Sequence, residues 1–96
     1  MKKGYWVVAY RAVRDESALK EYGKLALQAI EAGGGRTLIR TSDVVPHEAG
    51  MKQRLVVTEF ESLEKATATY NSSAYQSALR VLGSAADRDF RIAEGA

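Results

Sequence analysis

The chain has 96 residues, of which 46% are hydrophobic and 27% charged, with no cysteine and a net charge of +2. This length supports one core, so we expect a single domain over residues 1–96. The composition excludes a disulfide framework and a thiolate metal site, and the scattered basic residues do not indicate a nucleic-acid surface. No apolar run approaches the roughly 20 residues of a membrane helix, and the stretch after Lys2 and Lys3 is too short for a signal peptide. We therefore expect a cytoplasmic protein with no membrane or nucleic-acid partner.

The first predicted element is a strand over about Lys3 to Arg11, which is rich in aromatic and β-branched residues. Successive side chains of a strand point to opposite faces. One face of this strand carries Tyr5, Val7 and Ala9, and the other carries Trp6, Val8 and Tyr10. Both faces are apolar, which is typical of a sheet that is covered on both sides.

A helix and a second strand follow. Asp15 is suited to cap the start of the helix, and Gly33-Gly34-Gly35 ends it. From Arg36 to Thr41 the sequence alternates, which predicts a strand with Arg36, Leu38 and Arg40 on one face. Its polar character predicts a position at the edge of the sheet.

The segment from Ser42 to Gln53 is polar and contains the only proline, Pro46, so we expect a long hairpin connection with a short strand turn at Val44 and Val45. A third strand then covers Leu55 to Phe60 and is again apolar on both faces, with Leu55 and Val57 opposite Val56 and Phe60.

The last third of the chain predicts a helix in two pieces and a short strand. Ser62 is suited to cap the first piece, and Asn71-Ser72 interrupts the helical pattern. Phe90 and Ile92 alternate with polar neighbours in the final strand. The predicted order is therefore β-α-β-β-α-β.

This order predicts an α+β fold, a ferredoxin-like antiparallel sheet with its helices on one face. Each large apolar side chain left in water on the other face would forfeit roughly 1.5–3 kcal/mol. We therefore expect that face to pair with a second copy of the chain, which forms a homodimer of the dimeric α+β barrel type.

Several segments together carry a resemblance to a known family. They are Gly4-Tyr5-Trp6, Gly34-Gly35-Arg36, Glu59-Phe60, Tyr70-Asn71-Ser72 and Glu94-Gly95. In this ordered set the chain resembles the DUF1330 family of small bacterial domains, within the dimeric α+β barrel superfamily. It departs from the family pattern at Arg40-Thr41-Ser42, where members often have Arg-Gly-Gly.

The family has no established activity, so the resemblance implies a function only through the wider superfamily. That superfamily includes cofactor-independent monooxygenases, dehydratases, haem-degrading enzymes and ligand-sensing modules, often with a small pocket between helices and sheet. The fold does not choose among them.

Four residues are candidates for ligand binding in such a pocket: Tyr22, Arg40, Glu59 and Tyr75. Arg40 could hold a carboxylate by charge-assisted hydrogen bonds, or it could be a solvated edge arginine. The hydroxyls of Tyr22 and Tyr75 could position a substrate or donate a proton, or the rings could pack in the core. Glu59 shares the face of Leu55 and Val57 and could act as a general base, or it could pair with an arginine.

The single histidine, His47, cannot assemble a histidine-rich metal site, so we expect neither a metal nor an organic cofactor. The catalytic residues stay unassigned at this point. Two functions remain open: a cofactor-independent enzyme that acts on a small aromatic or carboxylated molecule, and a non-catalytic dimer that binds a metabolite or serves a structural role.

Overall fold

The computed structural model describes residues 2–96, which form one four-stranded antiparallel sheet and three helices. The elements are β1 (Gly4–Val13), α1 (Glu16–Ala32), β2 (Arg36–Thr41), β3 (Leu55–Phe60), α2 (Leu63–Tyr70), α3 (Ser73–Leu82) and β4 (Ala86–Glu94). The strands lie in the order β2-β3-β1-β4, so β2 is at an edge as expected. This confirms the ferredoxin-like α+β fold, with the second helix divided into two pieces. No helix in the described part of the chain is long and apolar enough to cross a membrane.

Polar side chains cap the three helix starts because the first backbone N–H groups of a helix have no partner within it. The Asp15 carboxylate accepts from the N–H of Ala18 at 3.1 Å, and the Ser62 hydroxyl accepts from that of Lys65 at 3.1 Å. Ser72, whose hydroxyl accepts from the N–H of Tyr75 at 3.2 Å, restarts the helix after Tyr70. The caps at Asp15 and Ser62 and the interruption at Asn71-Ser72 are where the sequence predicts them.

The first and last strands are longer than expected. β1 continues past Arg11 to Val13, and β4 begins at Ala86 rather than near Phe90. The two strands pair along their whole length, and a register shift between Tyr10 and Ala12 accommodates Arg11. Pairing with a long neighbour therefore extends each strand beyond its apolar segment. The expected strand turn at Val44 and Val45 was wrong, since neither residue belongs to a strand.

The two faces of the sheet have different surroundings. We call the face under the helices the helix-side face; its β1 residues, Trp6, Val8 and Tyr10, are all buried. The other, which we call the open face, carries Tyr5, Val7, Ala9, Leu55 and Val57, with Ile39 from β2. Val7 and Ile39 are 37% and 41% exposed, so this chain leaves a partly apolar surface uncovered.

The strand β2 departs from simple alternation at Leu38. Thr37 is opposite Thr58, but the next paired residue is Ile39, opposite Val57, so Leu38 is an extra residue that forms a bulge. One inserted residue exchanges the faces of the residues after it. The expectation that Arg36, Leu38 and Arg40 share a face was therefore wrong, because the bulge turns Arg40 to the helix-side face.

The core is an aromatic cluster around Trp6, which is 2% exposed. The centroid of its ring lies 4.7 Å from that of Tyr75, 4.9 Å from that of Phe60 and 5.2 Å from that of Phe90. Its indole Nε1–H donates a hydrogen bond of 2.9 Å to the carbonyl of Ala66 in α2. The sheet and the second half of the helical layer are thus joined through one side chain.

We expect Trp6→Ala to lower the free energy of unfolding by about 3–5 kcal/mol, because it leaves a large cavity and removes a buried hydrogen bond. Chemical denaturation followed by circular dichroism measures this change. Val45→Ala is the control: Val45 is 79% exposed, so its removal should change stability by less than about 0.5 kcal/mol. Equal effects of the two substitutions would contradict the central role of Trp6.

Candidate functional site

A cavity of about 70 Å³ lies between α1 and the helix-side face of the sheet. This is several times the roughly 10–15 Å³ that one water needs, but less than half of the roughly 150 Å³ of a cavity that binds benzene. The space therefore suits a short chain, with further room toward the surface.

The register of the strands arranges the floor of this cavity in rows across the sheet. We call Arg54, Tyr10 and Arg88 the cationic row. The next, the apolar row, consists of Val56, Val8 and Phe90, with Arg40 at its β2 end. The third, the hydroxyl row, consists of Thr37, Thr58 and Trp6. The cavity thus has Arg54 and Arg88 at one end, hydroxyl groups at the other, and between them an apolar surface with Arg40 at its β2 edge.

Small residues of α1 leave room for the cavity. Gly23 and Ala26 both line it, and a Cβ added at Gly23 would meet no atom within 4 Å. Glycine inside a helix costs roughly 0.5–1 kcal/mol relative to alanine. No close contact in the structure requires a glycine here, so its effect is to leave the space beside the sheet open.

The guanidinium of Arg88 lies against aromatic rings rather than against acids. Its carbon is 5.0 Å from the ring centroid of Tyr22, 5.3 Å from that of Phe90 and 5.7 Å from that of Tyr10. Its Nη1 donates a hydrogen bond of 2.9 Å to the Tyr22 hydroxyl. Burial opposes the charge, but the phenol oxygens of Tyr22, Tyr75 and Tyr10 outweigh it, so the pKa of Arg88 lies above its ordinary value. Arg88 is a permanent cation in the cavity wall.

Two further arginines line the same cavity. The guanidinium of Arg54 lies 5.9 Å from the ring centroid of Tyr10, and its buried Nε has no hydrogen-bond partner in residues 2–96. Arg40 is exposed at the β2 side of the cavity. Within the described residues, none of the three arginines forms an ion pair with a carboxylate. The lining of the cavity contains no aspartate or glutamate. The cavity therefore has an uncompensated positive charge.

Two tyrosine hydroxyls meet at the wall of the cavity. Tyr22 lines it, and its oxygen lies 2.6 Å from that of Tyr75, which is fully buried behind it. Burial, and after it the neighbouring Tyr22 oxygen, raises the pKa of the Tyr75 hydroxyl above its ordinary value. Tyr75 therefore keeps its proton at neutral pH and holds the Tyr22 hydroxyl in place beside Arg88.

At the other end of the cavity, the hydroxyl of Thr58 is buried without a hydrogen-bond partner among the described residues. Thr58 is 1% exposed. A buried polar group that lacks a partner costs about 1–3 kcal/mol, so most such groups in proteins are paired. Thr58 is therefore a residue of the cavity lining whose hydroxyl is unpartnered among the described residues.

The cavity opens to the surface through a basic mouth beside α1. This mouth is lined by Lys20, Lys24, Arg40 and Arg54, with Glu16 as its acidic residue. Positive potential at the opening of a cleft raises the local concentration of anions and speeds their association. The outer and inner charges thus favour the same class of ligand.

Three of the four residues proposed from the sequence come together here: Arg40 and Tyr22 line the cavity, and Tyr75 supports Tyr22. Glu59 does not join them, because strand alternation places it with Leu55 on the open face. There its carboxylate accepts hydrogen bonds of 3.0 Å from the Tyr5 hydroxyl and 3.0 Å from the Arg36 guanidinium. Glu59 therefore cannot act on a molecule in this cavity.

Arg54, Arg88 and Thr58 were missed by sequence analysis, although a signal for the arginines exists. Arg88 has the same strand parity as Phe90, and Arg54 has the same parity as Val56. A charged residue that continues the buried side of a strand is a candidate for a site, and this pattern would have identified both. Whether the Thr58 hydroxyl has a partner depends on its three-dimensional surroundings.

His47 lies exposed in the connection between β2 and β3. Across residues 2–96, no group of three or more histidine, aspartate or glutamate side chains is placed to hold a metal ion.

Comparison with solved structures shows the fold that this chain shares with others. A protein of unknown function from Rhodopseudomonas palustris superposes with a TM-score of 0.71 at 14% identity, covering 97% of this chain and 80% of that one. A candidate antibiotic biosynthesis monooxygenase from Nitrosomonas europaea gives 0.56 at 17% identity, covering 97% of both chains. A dimeric ferredoxin-like protein of unknown function from Thermobifida fusca gives 0.55 at 11% identity, covering 96% of this chain and 90% of that one.

No curated protein sequence matches this chain. The family described as "Domain of unknown function (DUF1330)" matches residues 3–96. This match covers nearly the whole chain and includes every strand and helix of the fold described above. The chain belongs to the DUF1330 family.

Proposed function

We propose that this domain binds a small organic carboxylate in the cavity between α1 and the sheet. The observation that carries the proposal is that Arg40, Arg54 and Arg88 line one cavity whose lining contains no acidic residue. Guanidinium groups bind carboxylates through paired charge-assisted hydrogen bonds, and arginine is the residue best suited to this geometry.

The energetics of the free site support an anionic ligand. Taking a charge out of water is costly unless a partner of opposite charge or good hydrogen bonds replace the water. Aromatic rings and the Tyr22 hydroxyl compensate Arg88 in part, and the Nε–H of Arg54 still lacks a partner. A bound carboxylate would supply the missing negative charge and an acceptor for that N–H group.

The size of the cavity favours a short, flexible acid. Its volume of about 70 Å³ is less than half that of a cavity that holds benzene, so the chain of such an acid would fill it and the carboxylate would lie toward the mouth, which Arg40 and Arg54 also line. Pockets for drug-sized ligands are also larger, at about 300–1,000 Å³. The preferred ligands are therefore acids of a few carbon atoms.

We expect Arg54→Gln to weaken the binding of butanoate by about tenfold or more, because it removes a charged hydrogen-bond donor from the site. Isothermal titration calorimetry measures the affinity. The emission of Trp6, the only tryptophan and a residue of the cavity lining, gives a second readout.

The matched control is Arg80→Gln, since Arg80 lies exposed on α3 outside the cavity lining and donates to the Ser77 hydroxyl at 2.9 Å. This variant should bind butanoate like the parent protein, and the neutral butanamide should bind the parent protein less well. The proposal fails if acids from ethanoate to pentanoate do not bind, or if butanamide binds as tightly as butanoate.

A second candidate function is an enzyme that moves a proton at the bound acid, without a cofactor. The observation that favours it is the placement of the Tyr22 hydroxyl between Arg88, at 2.9 Å, and Tyr75, at 2.6 Å. The Tyr22 hydroxyl can donate a hydrogen bond to the 2-oxo oxygen of a bound acid, and Arg88 stabilises the negative charge that this oxygen gains as a water molecule removes a proton from the neighbouring carbon.

Hydrogen–deuterium exchange separates this enzyme from a binding module. An enzyme of this kind would speed the exchange of α-hydrogens of 2-oxopentanoate in D₂O, followed by NMR, and Tyr22→Phe would abolish the acceleration while 2-oxopentanoate still binds. A protein that binds the acid but leaves the exchange rate unchanged is a non-catalytic module.

We also propose that two copies pair through their open faces. The support is the partly apolar open face of this chain and the similarity of its fold to a dimeric ferredoxin-like protein. Val7 and Ile39 lie exposed on that face, and Glu59 is shielded there by Tyr5 and Arg36. Because the same surface serves both copies of a two-fold dimer, each apolar residue contributes to burial twice.

We expect Val7→Lys to lower the fraction of dimer, because it places a charge in the centre of the open face, as measured by size-exclusion chromatography with light scattering. Val81→Lys is the control, since Val81 is 40% exposed, close to the 37% of Val7, but lies on α3. A protein that stays equally dimeric with Val7→Lys would contradict pairing through this face.

A further inference from the structure

The polar end of the cavity, opposite Arg54 and Arg88, has no role in holding a simple carboxylate at those two residues. Thr58 lies in the hydroxyl row, is 1% exposed, and its Oγ1 is buried without a partner in residues 2–96. The other buried threonine, Thr69, donates its hydroxyl to the carbonyl of Lys65 at 2.8 Å. The Thr58 hydroxyl is therefore the unpartnered one of the two buried threonine hydroxyls, on a residue of the cavity lining.

The distance between the two polar ends follows from strand geometry. Arg54 directly precedes β3, and Val56 and Thr58 follow it within the strand, so each row is two residues from the next. Strands rise about 3.2–3.4 Å per residue, so adjacent rows are roughly 6.5 Å apart. A carboxylate held by Arg54 is thus separated from the Thr58 hydroxyl by one apolar row, which includes Val8.

We infer that the natural ligand carries a second polar group at the end remote from its carboxylate, and that Thr58 binds this group. This inference rests on the proposed function and specifies the ligand further. The ligand class is a short oxo or hydroxy acid whose oxygen lies at carbon 4 or beyond, with methylene groups against Val8 and Val56. An oxygen at carbon 2 would stay beside the arginines and leave Thr58 without a partner.

Three acids of one chain length test the inference: pentanoate, 4-oxopentanoate and 2-oxopentanoate, measured by isothermal titration calorimetry. We expect 4-oxopentanoate to bind about five- to tenfold more tightly than the other two, which is the gain of one buried hydrogen bond. Thr58→Val removes the hydroxyl at almost constant shape. It should abolish this advantage and leave the affinity for pentanoate within about twofold of its original value.

Thr69→Val makes the same chemical change at a buried threonine outside the cavity lining and should preserve the preference for 4-oxopentanoate. The midpoint of thermal unfolding should not fall in Thr58→Val, since that substitution removes a buried group without a partner. A midpoint that falls would show that the hydroxyl has a structural partner and would overturn the inference.

The outcomes separate this inference from the proposed function. If none of the three acids binds, carboxylate binding itself is refuted. If all three bind equally well, or if 4-oxopentanoate keeps its advantage in Thr58→Val, the cavity binds carboxylates but Thr58 does not select them, and this inference is overturned.

Discussion

The packing of Trp6 is the interaction on which the rest of the structure depends. From the central strand β1 its ring contacts Phe60 of β3, Phe90 of β4 and Tyr75 of α3, and its indole N–H binds the carbonyl of Ala66 in α2. Protein interiors are close-packed, so these contacts fix the separation of sheet and helices around them. The space that remains beside this cluster, under α1, is the cavity.

The aromatic rings around Arg88 explain why the cavity keeps its positive charge. Arginines in most protein interiors are neutralised by acids, whereas Arg88 lies against the rings of Tyr10, Tyr22 and Phe90. Ring faces stabilise a cation without cancelling its charge. The guanidinium is therefore held in a defined position and still attracts an anion, which an ion pair with an aspartate would prevent.

Much of the architecture could be predicted from the sequence because it follows from local rules. The caps at Asp15, Ser62 and Ser72 depend on the polar side chain and the backbone that follows it, and the two apolar faces of β1 follow from alternation. Neither rule shows which residues of neighbouring strands pair with each other. The lengths of β1 and β4 depend on each other, and only their pairing shows that both continue beyond their apolar centres.

The candidate site was less predictable for the same reason. Glu59 and Arg40 were grouped on the basis of their residue types, but alternation does not show which face the helices cover, and the bulge at Leu38 changes the face of Arg40. Helical spacing could place Tyr22 and Tyr75 each on a buried helix face, but it could not show that their hydroxyls meet. The orphaned hydroxyl of Thr58 is a property of three strands and a helix together, so no single segment contains it.

The pairing of β1 with β4 has a consequence for synthesis of the protein. Gly4 is opposite Glu94, so β1 lacks this neighbouring strand until β4 has been synthesised. Until then a nascent chain lacks Phe90 and Arg88, and one edge of β1 is unpaired beside exposed apolar side chains. Such an edge is a template for pairing with other chains. A fragment without β4 would therefore be prone to aggregate and would lack two residues of the cavity lining, whereas pairing of β4 covers the edge of β1 and completes the cavity in one step.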